Sequence, residues 1–227
     1  ALRVLGEGLA SGDETWGPEA QRLRRELLGT AGRFGELART LEGEAGREPD
    51  PGRRQRLLLE AAEHYMDRAG EPANAERCLA GLLAVRPAHL PALDRFLELL
   101  RPRAAAAGTA GALRDLAGRL LGEAEADGDG VADGELGPVR RAAALSRVAQ
   151  AWLDLGLDPA AEAIPWLVLA VRWAPERIED VRRCVRLLES RPDAAALADL
   201  LDHVSRSPGL PPDDARDLAL EHVRVLL

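Results

Sequence analysis

Leucine and alanine recur three and four positions apart along nearly the whole chain, and glycine or proline interrupts the pattern at regular distances. That spacing puts apolar positions on one face of an α-helix and charged positions on the other. It predicts helices over Ala1–Ala10, Pro18–Thr30, Arg33–Ala45, Gly52–Ala69, Pro72–Val85, Leu90–Arg101, Ala110–Ala126, Pro138–Leu155, Asp158–Ala174, Arg177–Ser190, Ala194–Ser205 and Asp213–Leu227. Pro18, Pro72, Pro138 and Pro159 fit a first helical turn, whose amide has no intrahelical partner, while Gly70 and Gly156 fit a left-handed terminal residue. Pro165 falls inside one predicted helix, where its missing N–H predicts a kink or a bulge. Most connections are short, about two to six residues, which makes successive helices antiparallel hairpins.

A longer repeat of roughly eighty residues overlies the helical period. Phe34-Gly35-Glu36-Leu37-Ala38-Arg39-Thr40-Leu41 returns as Leu113-Arg114-Asp115-Leu116-Ala117-Gly118-Arg119-Leu120, and again as Leu197-Ala198-Asp199-Leu200-Leu201-Asp202-His203-Val204. Each copy leads through a polar connector into a helix rich in Arg, Leu and Ala: Arg53–Met66, Arg140–Leu153 and a shortened Ala215–Leu227. In the first two copies Ala75–Pro87 and Ala163–Pro175 then end on proline and lead into Ala92–Leu100 and Glu179–Leu188. The predicted organisation is an N-terminal hairpin or the end of a preceding repeat over 1–31, a four-helix unit over 32–108, a second over 109–192 with an acidic loop at 127–137, and a partial third over 193–227. A single hairpin cannot bury its own apolar stripe and must stack on neighbours, so the expected fold is all-α, a curved right-handed α-solenoid.

Composition narrows the class further. Valine, isoleucine and threonine together number eighteen of 227 residues and aromatics seven, too few for a sheet-based fold. All 30 basic residues are arginine and stand against 38 acidic ones, giving −8 and a pI near 5.2. That is the wrong sign for a protein that neutralises phosphates, so nucleic acid is not an expected partner. Cys78 and Cys184 lie among leucines inside helical patterns and read as buried hydrophobes. No apolar stretch approaches a bilayer span, so membrane insertion is not expected. The chain starts at Ala1 without methionine or a basic-then-apolar leader, which makes the cytoplasm a default and leaves open a fragment whose targeting signal lies elsewhere.

In spacing, the hairpins resemble the tetratricopeptide repeat, a helical pair of about 34 residues, in degenerate copies. Leu59, Ala62, Met66, Gly70, Ala75, Leu79, Leu82 and Pro87 fall on its offsets in the first unit, with Glu63 and Leu82 standing where the family prefers small residues. In the second unit Leu145, Val148, Ala149, Trp152 and Gly156 fit the first helix, and Ala163, Leu167, Ala170 and Pro175 fit the second, the two halves being out of phase by two residues. Gly32-Arg33-Phe34-Gly35-Glu36-Leu37 is similar to the openings found in long bacterial arrays of this family, and the likeness extends over residues 30–205. The resemblance implies a concave face, lined by the first helix of each pair, that holds a peptide or a partner's helix. By that likeness the partner-facing positions are Glu60, His64, Asp67 and Arg68 in the first unit, and Ser146, Gln150 and Asp154 in the second. A plain solvated face is the alternative for each.

Candidate chemistry is sparse. The four histidines at 64, 89, 203 and 222 show no metal-ligand spacing, and Glu63, His64 and Tyr65 point apart because adjacent helical residues do. Asp127, Asp129, Asp133 and Glu135 are spaced like hard oxygen ligands for calcium, but the EF-hand pattern fails, since Leu136 stands where the bidentate glutamate belongs. That segment reads as a solvated insertion, with calcium as the alternative. Trp152, Trp166 and Trp173 lie in apolar stretches and read as packing residues; Trp16 stands apart. Arg53/Arg54 and Arg182/Arg183 read as exposed and paired with carboxylates. The function expected is a non-enzymatic protein-binding scaffold without cofactor; the alternative is a regulatory or ordering domain of a larger enzyme, sensor, or secretion or motility assembly. Val223, Val225, Leu226 and Leu227 make an apolar final helix that points to self-association or further repeats.

Overall fold

The computed structural model describes residues 18–103, 107–126, 137–158, 162–190, 194–207 and 209–226. Among the described residues the regular structure is entirely helical, as the scarcity of β-formers requires. The helices are α1 (Pro18–Thr30), α2 (Phe34–Ala45), α3 (Pro51–His64), α4 (Pro72–Val85), α5 (Leu90–Leu100), α6 (Ala107–Ala126), α7 (Gly137–Asp154), α8 (Ile164–Trp173), α9 (Ile178–Glu189), α10 (Ala194–Ser205) and α11 (Pro212–Leu226). The expected helix at Ala1–Ala10, Trp16, the acidic residues Asp127, Asp129, Asp133 and Glu135, and Pro159 all lie outside the described residues.

Local chemistry fixes the helix ends. Asp50 caps α3 by accepting the Arg53 N–H at 2.6 Å, with Pro51 in the first turn. At α5 the His89 imidazole takes the same role, its Nδ1 accepting from the Ala92 N–H at 3.2 Å. Burial lowers the pKa of His89, and the neighbouring Arg86 and Arg140 act in the same sense, which keeps that nitrogen an acceptor. Gly32, Gly70 and Gly156 all have φ near +67°, at 69°, 66° and 68°, and close α1, the α3 segment and α7. Pro165 does not interrupt a long helix as its position predicts. α8 starts at Ile164, so Pro165 falls in the first turn where its missing N–H costs little, and the irregularity is a π-helical turn just before it at Glu162 and Ala163.

The chain divides into two compact units, Ala1–Val85 and Arg86–Leu227. In the first, α1 packs on α2, α2 on α3 and α3 on α4 around Leu37, Leu41, Ala61, Ala62, Tyr65, Leu79 and Leu82. In the second, α7 packs on α5, α6 and α8, α8 on α9 and α10, α9 on α10, and α10 on α11. α5 belongs with the second unit because its buried face, Leu93, Phe96, Leu97 and Leu100, goes with packing onto α7, and Arg147 of α7 reaches Asp94 of α5 at 2.7 Å.

Burial reproduces the sequence repeat position by position. Leu37/Ala38/Leu41, Leu116/Ala117/Leu120 and Leu200/Leu201/Val204 are all buried, on α2, α6 and α10. The next helices match as Leu57/Ala61/Ala62/Tyr65 on α3 and its extension and Ala144/Val148/Ala149/Trp152 on α7. This corrects the expected alignment of the first copy by one residue: Leu59 and Met66 are half-buried, and Tyr65 holds the place of Trp152. The cause is a π-helical turn, Tyr65–Ala69, that continues α3. Gly70 follows Tyr65 by five positions whereas Gly156 follows Trp152 by four. Accordingly the closing bond runs from Glu71 N–H to the Tyr65 carbonyl at 2.9 Å in one copy, and from Leu157 N–H to the Trp152 carbonyl at 3.3 Å in the other. In the corrected alignment Ala62 stands opposite Ala149, and Glu63 is no longer a departure at a packed position.

Candidate interaction surface

The expected partner-facing residues of the first unit are carried by α3 and the π-helical turn. Glu60, Asp67 and Arg68 are exposed and His64 is half-buried. His64 and Arg68 are four apart, so they share a helical face, and both lie against Phe34 at the start of α2. The imidazole stacks on the Phe34 ring with centroids 6.0 Å apart and planes 17° from parallel, and the Arg68 guanidinium stands over the same ring at 5.4 Å. Phe34 is half-buried, whereas Leu113 and Leu197, its counterparts in the repeat, are buried. The sequence carried that signal, an aromatic where the other copies have leucine, but its pairing with His64 and Arg68 depends on how α2 meets α3.

Two glycines explain the Gly32-Arg33-Phe34-Gly35-Glu36-Leu37 motif. Gly32 supplies the left-handed residue that ends α1, and the Arg33 N–H closes onto the Leu28 carbonyl at 2.9 Å. A Cβ on Gly35 would lie 2.7 Å from Oε1 of Glu71, so the absent side chain lets that carboxylate approach the first turn of α2. Glu71 also accepts from Asn74 Nδ2 at 2.6 Å and pairs with Arg39 at 3.5 Å. Behind this face Tyr65, fully buried, donates to Glu42 at 3.1 Å, and Arg77 donates to both oxygens of Glu42 at 2.8 Å. Burial pushes the Tyr65 hydroxyl up to about 12, with the Glu42 carboxylate adding to it.

In the second unit the expected residues do not share one surface. Ser146 is a correction: it is 2% exposed, and its hydroxyl donates to Asp180 Oδ1 at 2.6 Å, so it joins α7 to α9 and offers nothing to a partner. Asp180 is itself buried and accepts from Arg177 Nε at 2.6 Å and Arg183 Nη1 at 3.3 Å. This cluster was missed because a Ser thirty-four positions from an Asp carries no local signal. Gln150 is half-buried and donates to the exposed Asp154 one turn on.

The remaining sequence candidates are packing or surface groups. Trp152 and Trp166 are buried and meet edge to face at 5.4 Å and 83°, with Trp152 Nε1 donating to the Asp158 carbonyl at 2.9 Å. Arg114 stands over Trp152, and Arg141 over the half-buried Trp173. Both cysteines are free and buried, and burial pushes their thiols up to about 11 for Cys78 and about 12 for Cys184. Arg53 pairs with Glu48, Arg183 with Asp180, and Arg182 with Glu179 and Asp214 as expected; Arg54 instead donates to the Glu48 carbonyl. Among the described residues no three His, Cys, Asp or Glu side chains gather as metal ligands, and no helix is long and apolar enough to cross a membrane. No protein-family model, no curated protein and no solved structure matches the chain.

Proposed function

We propose that the chain is a non-enzymatic interaction scaffold of tetratricopeptide-like hairpins, stacked as an α-solenoid, that holds a peptide or partner helix on the outward face of α3. The supporting observation is the buried register shared by α2, α6 and α10 and by α3 and α7, which commits one face of each helix to packing and, on α3, leaves the opposite face to the solvent. On α3 and its π-helical extension that face carries Glu60, His64, Asp67 and Arg68, with the Phe34 ring of α2 lying against His64 and Arg68. Half-exposed aromatics flanked by arginine are the side chains that dominate protein interfaces. In the second unit, taken by itself, Gln150 and Asp154 of α7 are the corresponding candidates.

Selection of a displayed random-peptide library on the full chain tests this. Wild type enriches a peptide class, and Asp67→Arg combined with Arg68→Glu, its helicity checked by circular dichroism, lowers that enrichment by about tenfold or more. Equal enrichment by both proteins contradicts the assignment. A second reading, a domain that orders a larger assembly by stacking, is favoured by Leu220 and Val223 on α11, which are 58% and 52% exposed. The side chains of Val225 and Leu226, and Leu227 altogether, lie outside the described residues. Leu220→Glu with Val223→Glu abolishes concentration-dependent growth in light-scattering mass if that reading holds.

A further inference from the structure

Glu44 sits in the last turn of α2, where the unsatisfied helix carbonyls disfavour a negative charge. Its side chain retains 10% of its exposure, and Oε1 is buried with no hydrogen-bond partner. Oε2 faces Nη1 of Arg25, on α1, at 3.8 Å, an ion pair too long to be a hydrogen bond. The other charged groups around it are Arg24 from α1 and Arg53 and Glu60 from α3. Arg53 is already committed to Glu48 at 3.0 Å, and Glu60 repels. A carboxylate held this way is poorly solvated and poorly paired, and burial raises its pKa from the ordinary 4.5.

The element above it is weakly held. Leu28 is the buried side chain of α1 among the described residues, and Leu23 is 48% exposed. A helix with so little buried apolar surface opens at low cost. The same three residues, Gly43-Glu44-Ala45, recur as Gly122-Glu123-Ala124, at the same distance after Leu120 as after Leu41.

We infer that Glu44 is a proton-operated strap for α1: with the carboxyl protonated α1 closes on α2, and with the carboxylate ionised α1 loosens to admit water. The closed state binds the proton more tightly than the open one. Closure is therefore favoured as pH falls through the raised pKa, is complete below the ordinary 4.5, and weakens as pH rises. This reading stands apart from partner binding and concerns regulation of the first unit.

Hydrogen exchange of the full chain by mass spectrometry, corrected for intrinsic rates, tests it between about pH 7.5 and about pH 4.5. In the wild type the protection of α1 amides rises several-fold on acidification relative to α3. Glu44→Gln, which keeps the shape without the charge, holds α1 at the high level throughout. Arg25→Gln moves the transition to higher pH, because Arg25 is the main group opposing the shift. A Glu44→Gln profile that follows the wild type, or an unchanged midpoint in Arg25→Gln, overturns the proposal. Carboxyl-carbon nuclear magnetic resonance of Glu44 in the folded chain reads the same group directly, and a midpoint at or below 4.5 overturns it equally.

Discussion

The hairpin of α2 and α3 and the hairpin of α6 and α7 solve one packing problem with different side chains. Both bury a leucine, an alanine and a leucine on the first helix, and a residue pair closed by an aromatic on the second. The first then spends five residues, in a π-helical turn, between that aromatic and its terminal glycine; the second spends four in an ordinary helix. The difference teaches that the buried face, and not the spacing along the chain, is what the repeat preserves. An extra residue is absorbed where the helix ends, because there it displaces no core side chain. The polar interiors differ as well. A tyrosine bonded to Glu42 stands where the other copy has Trp152 packed edge to face on Trp166.

The comparison breaks most sharply at the aromatic. Trp152→Ala should cost about 3–5 kcal/mol in urea unfolding, since the indole is buried against Trp166 and its N–H bond to Asp158 is lost too. Tyr65→Phe in the other copy removes one hydroxyl and should cost about 1 kcal/mol, because Arg77 still satisfies Glu42. Next comes the start of α9, where Asp180 takes the place of Ala92 in α5. Asp180→Ala should cost about 2 kcal/mol by leaving Ser146 unbonded in the interior, while Arg177 and Arg183 can still reach solvent. Gly70→Ala and Gly156→Ala should each cost about 1 kcal/mol through the positive φ alone, since nothing stands within 4 Å of either added Cβ. Equal losses at these two sites would sharpen the view that both glycines do one job despite their different spacing. Phe34→Leu, which gives the first copy the residue of the other two, should change stability by less than about 1 kcal/mol while removing the stack with His64 and Arg68.

Much of the fold was legible from residue order because helix signals are local. Pro72, Asp50-Pro51 and Gly70 place helix ends by their own backbone chemistry, and the leucine and alanine spacing places the buried faces. What failed was non-local. The π-helical turn at Tyr65–Ala69 leaves the sequence looking like continuous helix, so its spacing points to Met66 for the buried position that Tyr65 holds. The likeness to the first helix of a repeat puts Ser146 on a concave, partner-facing side, yet α7 is packed by α5, α6 and α8 and Ser146 lies inside. The burial of Glu44 is equally non-local, because only the meeting of α1, α2 and α3 removes it from water.

Paired single-residue deletions followed by thermal and urea unfolding measure the central claim most directly. Removing Asp67 turns the five-residue spacing into the four of the second copy, so Tyr65 stays buried and the loss should be less than about 1 kcal/mol. Removing Asp154 leaves no spare residue, forces Trp152 or Gly156 out of place, and should cost about 3 kcal/mol or more. Equal destabilisation by the two deletions would contradict the account.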